Sequence, residues 1–502
     1  MKKNSVFIKI LKLFLLLSIG IFIGKYFFSG KNTDTVPLPS TMKYRNVGIS
    51  NDTTHVVEET TFDGNIIEVK KGGSILQAVK SAQSGDLIRV YPGTYAETVY
   101  IDKDNISLQG VVINGEWPTL DGGKKLNDAF LYSGNNILIE NFKIINYKGN
   151  GVMGQAGNNF IIRNNWIIDT GVYGIFPQYG QNGLVEHNVL SKIADAAIYV
   201  GMCDNVDVIN NEVFNSVAGI EIENSRHCLV ENNYAHNNTG GILAFVTPGL
   251  PIKTTFDVII RNNFIVNNNH ENFGAPGSTV AGIPPGAGIL IMAADDVVVE
   301  NNIITGNDNA GITIVDLATG DPKANDPNSE PNPDRVVLLD NIMFANGNNP
   351  TGELKALMLT QLSTKGPDIF AMGGGTGSSI LDKNKYRTFG LDDYGFPPIS
   401  DTKDLISMKL NKPVAPRSVS EEELGRLTYY GICAGCHAFG TRLIGPPTEI
   451  IQAIHNGNPQ GIVDYINNPK NLRPDYPEMP PQDYLPDEAK MAVAEYILSM
   501  KK

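Results

Sequence analysis

The chain has four cysteines in 502 residues, and two of those sit three apart at Cys433 and Cys436, so no disulfide framework holds it together. Basic residues are in deficit: 40 Lys and Arg stand against 53 Asp and Glu, for a net charge of −13. That sign excludes nucleic acid as a partner and argues against docking on anionic lipid, because both need a positive surface. Long apolar runs are missing everywhere except Val6 to Phe28, which Lys9 and Lys12 interrupt. Its unbroken core, Leu13 to Gly24, is 12 residues, the length of a signal-peptide apolar region. Tyr26 to Gly30 is nevertheless a poor cleavage site, and the whole segment is near spanning length if its lysines snorkel. An uncleaved anchor over residues 1–30 is the preferred reading and a removed signal the alternative. Both place the rest of the chain outside the cytoplasm, on the periplasmic side of the cell membrane. No cysteine precedes Cys203, so a lipid-modified N-terminal cysteine is excluded.

What the chain does have is Cys433-Ala434-Gly435-Cys436-His437. Two thiols on one helical turn can each add to a haem vinyl group, and the adjacent imidazole then ligates the iron. The competing readings are a redox dithiol, which wants a βαβ context absent here, and half a zinc site, which wants a second ligand pair. One covalent haem c is therefore expected, with Cys433 and Cys436 attaching it and His437 as proximal ligand.

The last 85 residues or so resemble a class I cytochrome c domain. Glu421 to Glu423 open a helical pattern that puts Gly425, Tyr429 and Cys433 on one face, and Pro486 to Glu488 open a closing helix carrying Tyr496. The resemblance implies that the Pro446 carbonyl accepts the N–H of His437, and that the proline-stiffened loop Tyr476 to Pro481 presents Met479 as the distal ligand. It also implies that Tyr496 packs on Gly425 where the terminal helices cross. Rival ligands are His455, at the end of a helix stopped by Gly457, and Met491 and Met500, which read as core filler. A His/Met pair implies one-electron transfer to a redox partner protein.

The middle of the chain repeats. Eight segments between Ile139 and Ala345 share an apolar-x-Asn pattern, and Asn165, Asn188, Asn211, Asn233, Asn263, Asn302 and Asn341 fall in register at spacings of 23, 23, 22, 30, 39 and 39. A period near 22 with β-branched alternation is too short for helical pairs and lacks the leucine pattern of a leucine-rich solenoid; it fits one coil of a right-handed parallel β-helix. Stacked asparagines would then bond from coil to coil. Gly73 to Ala82 predicts a short helix plugging the first coil. This start resembles pectin-esterase-like β-helix proteins, and Ala218 to Leu243 resembles exported bacterial β-helix repeat proteins. Together they cover residues 60–345 and specify fold better than activity.

The fold is thus read as mainly β, a right-handed parallel β-helix solenoid over 58–350 followed by a small all-α cytochrome c domain over 417–502. A linker over 31–57 precedes it, and an irregular region with a stiff linker, 351–416, lies between. Aligned coils give one outward column of Phe176, Tyr199, Glu221, Leu243, Leu290 and Thr313 and another of Gln178, Gly201, Glu223, Phe245, Met292 and Val315. Only Glu221 and Glu223 offer acid/base chemistry there. Tyr173 to Tyr179 is similar to a motif of mannuronan epimerases, but Phe176, Gln178 and Tyr179 replace its acids and histidine. Arg226 and His227 read as solvated turn residues. Cys228 aligns with inward Val206 and Cys203 lies out of register with it, so they are not expected to pair. Gly373 to Gly377 reads as a turn. Pro/Gly-rich insertions at 247–255, 269–286 and 318–335 follow one strand type and are expected to cover the apolar face of Leu243, Phe245, Leu290 and Met292. The function expected is an exported monohaem cytochrome on a β-helix scaffold. The alternative is a carbohydrate-active, lyase- or epimerase-like β-helix enzyme with an accessory cytochrome and a polysaccharide as partner.

Overall fold

A two-residue corner generates the repeat. In each coil a residue with positive φ turns the chain, as at His187 (φ 55°), Asn210 (φ 57°) and Asn232 (φ 56°), and the next residue is an asparagine whose side chain points into the stack. Asparagine tolerates the left-handed region better than other non-glycine residues, which accounts for its abundance at these corners. The computed structural model that shows this describes residues 64–320, 326–397, 402–471, 473 and 475–501. The segment Val6 to Phe28 lies outside the described residues. Among the described residues no helix is long and apolar enough to cross a membrane.

One coil runs through strands Gln181–Glu186, Val189–Ser191 and Ala196–Gly201, each pairing in parallel with its counterpart in the next coil. The described strands stack into three parallel sheets of twelve, ten and eleven strands. Val185, Val208, Val230, Ile260, Val299 and Leu338 follow one another in register inside the solenoid, each at most 2% exposed. Burying each contributes about 1.5–3 kcal/mol, so the column supplies a large part of the driving force. The predicted plug is present as helix Ile75–Ser81: Ser74 caps its start, and the Lys103 ammonium bonds the carbonyls of Val79, Lys80 and Ala82 at its end.

Two features differ from the sequence reading. The coils do not stop at 350: Ile369–Met372, Ser379–Ile380 and Thr388–Phe389 add further rungs, too short to show alternation in the sequence. The segment after Thr402 is not a free linker either. It folds back along the solenoid as a strap, with Thr402 on Glu300, Ser407 and Met408 on Asp207, Leu410 N–H on Asn182 and Val414 N–H on Asn159. Arg417 ends the strap, its guanidinium donating to the carbonyls of Ala156 and Tyr179 and to Asn158 Oδ1 while lying over the Tyr179 ring. The residues that look like a spacer are thus held by side chains and carbonyls of successive coils between Ala156 and Glu300.

The strap delivers the C-terminal helices Glu421–Thr428, Thr448–Ile454, Pro459–Asn467 and Asp487–Ser499 onto the outer face of the eleven-stranded sheet. They belong to one compact unit with the β-helix, spanning Glu59–Lys502, rather than standing apart from it. Gly425 lets the first and last of them cross closely: a side chain there would strike the Ala492 carbonyl and Tyr496, the contact expected from the sequence.

Candidate functional site

The helix Glu421–Thr428 runs on through a wider π-type turn, Tyr429–Cys433, and the chain then closes tightly, with both Cys436 N–H (3.0 Å) and His437 N–H (2.9 Å) bonded to the Cys433 carbonyl. That closure puts Cys433, Cys436 and His437 on one turn. Both cysteines are free thiols, and burial pushes each up to about 12. His437 is half-buried, and the loss of water around its ring lowers its pKa and favours neutral imidazole. Its Nδ1 lies 2.8 Å from the Pro446 carbonyl, so Nδ1 carries the proton and Nε2 keeps its lone pair free. Tyr429 OH donates to the His437 carbonyl at 2.6 Å and fixes the backbone beneath the ring. Gly445 lies so close to the imidazole that any side chain there would overlap it.

Met479 is half-buried in the loop between Pro459–Asn467 and Asp487–Ser499, outside the hydrogen-bonded turn that joins the other three residues. Its loop is tied down by the Lys148–Glu478 ion pair at 2.7 Å, by Arg442 over the Tyr476 ring and by Gln482 N–H on the Ile466 carbonyl. Of the rivals, His455 closes the helix Thr448–Ile454 with its N–H on the Ile451 carbonyl, and Met491 and Met500 pack on the core of the helices.

The turn is pressed against the β-helix. Gly435 sits on Phe176 and Gln178, Gly431 on Ala156, and the Gln178 amide donates to the Tyr430 carbonyl at 3.0 Å. The two outward columns have the register read from the sequence, from Tyr199 through Glu221, Leu243 and Leu290 to Thr313, with Gly201, Glu223, Phe245, Met292 and Val315 beside them. Leu243, Phe245 and Met292 are buried and Leu290 is half-buried; Val280 and Ile283 of the 269–286 insertion lie by Phe245 and Leu243, and Gly320 of the 318–335 insertion sits against Met292. Ile444, from the loop before the helix Thr448–Ile454, lines the same space as Phe245, whereas Tyr484 packs on Tyr100 and Gln155 several coils away.

Glu221 and Glu223 are therefore not solvated. They are 1% and 4% exposed, and Asp195, from the turn before Ala196, joins them at 7%. Sequence reasoning missed Asp195, because it lies outside the strand columns; its signal was an acid immediately before a strand in the coil preceding Glu221. The three acids line one internal space with Tyr173, Tyr199, Phe245, Ser278 and Gly435. Glu223 is satisfied by the Tyr199 and Thr247 hydroxyls, whereas Asp195 Oδ1 and Glu221 Oε1 have no partner among the described residues. Burial, reinforced by the charge of Glu223, raises Asp195 to about 8; burial and then Asp195 raise Glu221 well above the usual carboxylate range; burial takes Glu223 to about 7. Arg226 and His227 lie on the neighbouring sheet and pair with Asp204 at 3.2 and 2.6 Å. Cys228 faces the core opposite Val206, and both Cys203 and Cys228 are free.

The model of the right handed beta helix region matches residues 47–213, 110–257 and 196–349 in overlapping segments, more than half of the chain. The chain belongs to the right-handed β-helix family. No curated protein matches it. Solved structures similar to it include the A-module of the Azotobacter vinelandii mannuronan C-5 epimerase AlgE4, at 15% identity and a TM-score of 0.37, covering 61% of this chain and 89% of that one. The DFA-IIIase of Arthrobacter chlorophenolicus A6 in complex with DFA-III matches at 14% identity and 0.38, covering 67% and 99%. The tailspike protein of E. coli bacteriophage HK620 in complex with a pentasaccharide matches at 13% and 0.41, covering 63% and 61%. At such values the likeness decides nothing about chemistry, which rests on the residues of this chain.

Proposed function

We propose that the chain is an exported one-electron carrier: a monohaem c-type cytochrome region, of class I kind, mounted on a β-helix scaffold and retained at the periplasmic side of the membrane by residues 6–28. The observation that carries this is the turn on which Cys433, Cys436 and His437 meet, with His437 Nδ1 held by Pro446 so that Nε2 is the free ligand atom. The residues fit the group: two free thiols three apart, a neutral imidazole of fixed tautomer, and a glycine that leaves no side chain over the ring. Cys433 and Cys436 would hold one covalent haem c, and His437 and Met479 would ligate its iron. The bound haem supplies a centre that changes oxidation state by one electron. The chain's own part is to fix the imidazole, exclude water with Tyr429 and Tyr484, and hold the turn on the scaffold through Gln178 and Arg417. The partner is a redox protein.

Protein matured in cells that attach haem c should keep its haem through denaturing electrophoresis, and Cys433→Ser with Cys436→Ser should lose it. Met479→Ala should abolish the weak long-wavelength sulfur-to-iron band of the ferric form. Haem that washes out of the denatured wild-type chain overturns the proposal.

A second reading, a carbohydrate-active β-helix with an accessory cytochrome, is favoured by one observation, the gathering of Asp195, Glu221 and Glu223 beside the rings of Tyr173, Tyr199 and Phe245. Carboxylates with raised pKa beside aromatic rings suit acid/base work on a sugar. Here the C-terminal helices and an insertion close over them, so a polysaccharide needs that cover to open. Loss of polysaccharide turnover in Glu221→Gln would support this reading.

A further inference from the structure

The chain has two tryptophans, and the fold brings them together at the outer face of the ten-stranded sheet. Trp166 opens the strand Trp166–Ile168 and pairs with Lys143 of Lys143–Ile145; Thr119, just after Trp117, pairs with Lys143 from the coil before. Ile144 and Ile167 point into the core at 0% exposure, so Lys143 and Trp166 point outward. The indole centroids stand 6.3 Å apart, edge to face, and the Lys143 ammonium lies 4.2 Å from the centre of the Trp166 ring. All three residues are half-buried. Neighbouring cations are committed: Lys124 to Asp169, Lys148 to Glu478 and Arg163 to Glu140. Lys143 has no carboxylate or carbonyl partner among the described residues, and burial lowers its pKa. An ammonium held at the rings and partly out of water without a counter-ion is costly, so an anion that reaches it is favoured.

The face continues in register. Lys143, Trp166, Val189, Glu212, Tyr234 and Phe264 follow one another coil by coil. Tyr234 and Phe264 are 41% and 50% exposed. At about 4.8 Å per coil, the run from Lys143 to Phe264 is about 24 Å long. The strap follows the twelve-stranded sheet and the C-terminal helices cover the eleven-stranded one, which leaves this face outside both. Flat rings along a face accept the C–H faces of sugars, and a lone ammonium among them selects a carboxylate. A uniform polyanion is disfavoured, because Glu212 stands three coils from Lys143 in the same column and the chain carries a net charge of −13.

We propose that Trp117, Lys143 and Trp166, continued by Tyr234 and Phe264, bind an extended polysaccharide of neutral sugars with carboxylates at intervals. Lys143 takes one carboxylate, the indoles take the sugars beside it, and Tyr234 and Phe264 hold the chain farther along. A small aromatic acid fits the first group alone and leaves the second without a role, so length and charge together select the polymer. The site lies on a different sheet from Glu221 and Glu223 and needs neither haem nor a reacting sugar, so its failure leaves both functional readings standing.

The test is calorimetric titration of full-length protein with deacylated gellan octasaccharide, whose repeat has a single glucuronate among neutral sugars. Tryptophan emission on the same samples reports the site directly, since both tryptophans lie in it. Saturable binding with a change in emission is expected. Carboxyl reduction of the probe and Lys143→Gln should each weaken binding about tenfold, and together no more than either alone. Tyr234→Ala with Phe264→Ala, at exposed positions the coils tolerate, should weaken the octasaccharide about tenfold and leave the tetrasaccharide unchanged. Lys124→Gln, whose ammonium is already paired, should bind as the wild type does. No saturable binding overturns the proposal, and so does equal affinity for the carboxyl-reduced probe. Tighter binding of oligogalacturonate, with a carboxylate on every sugar, or fully additive losses from Lys143→Gln and carboxyl reduction, overturn it as well.

Discussion

Two places in the same coils bury polar side chains, and they do it in opposite ways. At the corner between the twelve- and ten-stranded sheets, asparagines from Asn165 to Asn341 form a column in which each amide donates to the next and to a backbone carbonyl. On the outer face of the eleven-stranded sheet, Asp195, Glu221 and Glu223 are buried as deeply, but burial drives them toward the neutral acid, and Asp195 and Glu221 each leave an oxygen without a partner among the described residues. An amide brings donors and an acceptor in the geometry of the backbone and no charge, so a stack of them satisfies itself. A carboxylate accepts only, so a stack of acids must recruit a proton or a cation. The first arrangement builds the fold. The second is the mark of a site.

The largest effect should come from breaking the first arrangement at its centre. Asn211 donates to Val185 and Asn233 and accepts from the Asn188 backbone and side chain, so Asn211→Ala strands buried groups on both sides. A loss of about 3–5 kcal/mol is expected in denaturant unfolding. The Asn341 side chain, at the end of the column, bonds only Asn302 and the Val299 carbonyl among the described residues, and Asn341→Ala should cost about half as much. Equal losses would mean that coil-to-coil bonding is not what the column contributes.

Arg417 sharpens the comparison, because it is a half-buried charge whose donors are met by neutral acceptors in the coils at Ala156, Asn158 and Tyr179. Arg417→Ala should release the strap rather than unfold the solenoid, at a local cost of about 2–4 kcal/mol. Faster proteolysis between residues 402 and 420, with unchanged unfolding of the coils, is the expected readout. Cooperative loss of both would show that strap and solenoid are one folding unit.

The acids should answer to pH with the opposite sign from a paired carboxylate. Because Asp195 titrates near 8 when folded and near 3.8 otherwise, the folded chain holds the extra proton between those values. Stability contributed by the neutral acid is complete below the lower value and falls as pH rises toward about 8. Asp195→Asn should flatten that decline and gain about 1–3 kcal/mol at pH 8. A wild-type melting temperature that does not fall between pH 4.5 and 8 would show that the acids are already paired.

Why the corner was legible and the acidic site was not follows from the same contrast. The asparagine column repeats at the period of the coil, so Asn165 to Asn341 announce themselves in one sequence, and so do the inward valines and isoleucines. A second column, Asn238, Asn268, Asn307 and Asn346, lies at the next corner and escaped notice because Ser216 takes its place one coil earlier. The turn carrying Cys433, Cys436 and His437 was readable because its spacing is local. Asp195, Glu221 and Ser278 come from a turn, a strand and an insertion, and nothing in their spacing predicts that they meet. Their burial depended on the strap, whose anchoring by Asn159, Asn182 and Asp207 is a tertiary match between two stretches that look featureless alone.

The smallest effect is expected where charge is neither buried nor stacked. Lys148 and Glu478 meet at 2.7 Å with their side chains 32% and 59% exposed, tying the Met479 loop to the scaffold. In water such a pair gains little, since solvent screens the attraction and two long side chains lose freedom to keep it. Lys148→Ala should therefore cost less than about 1 kcal/mol, and the difference should vanish in high salt. Hydrogen exchange in the loop Tyr476 to Gln482 is the measurement, because a global melt will not register so local a change. A loss as large as that of Arg417→Ala, and insensitive to salt, would mean that the loop is held by this contact alone, and that the placement of Met479 depends on the β-helix as directly as the strap does.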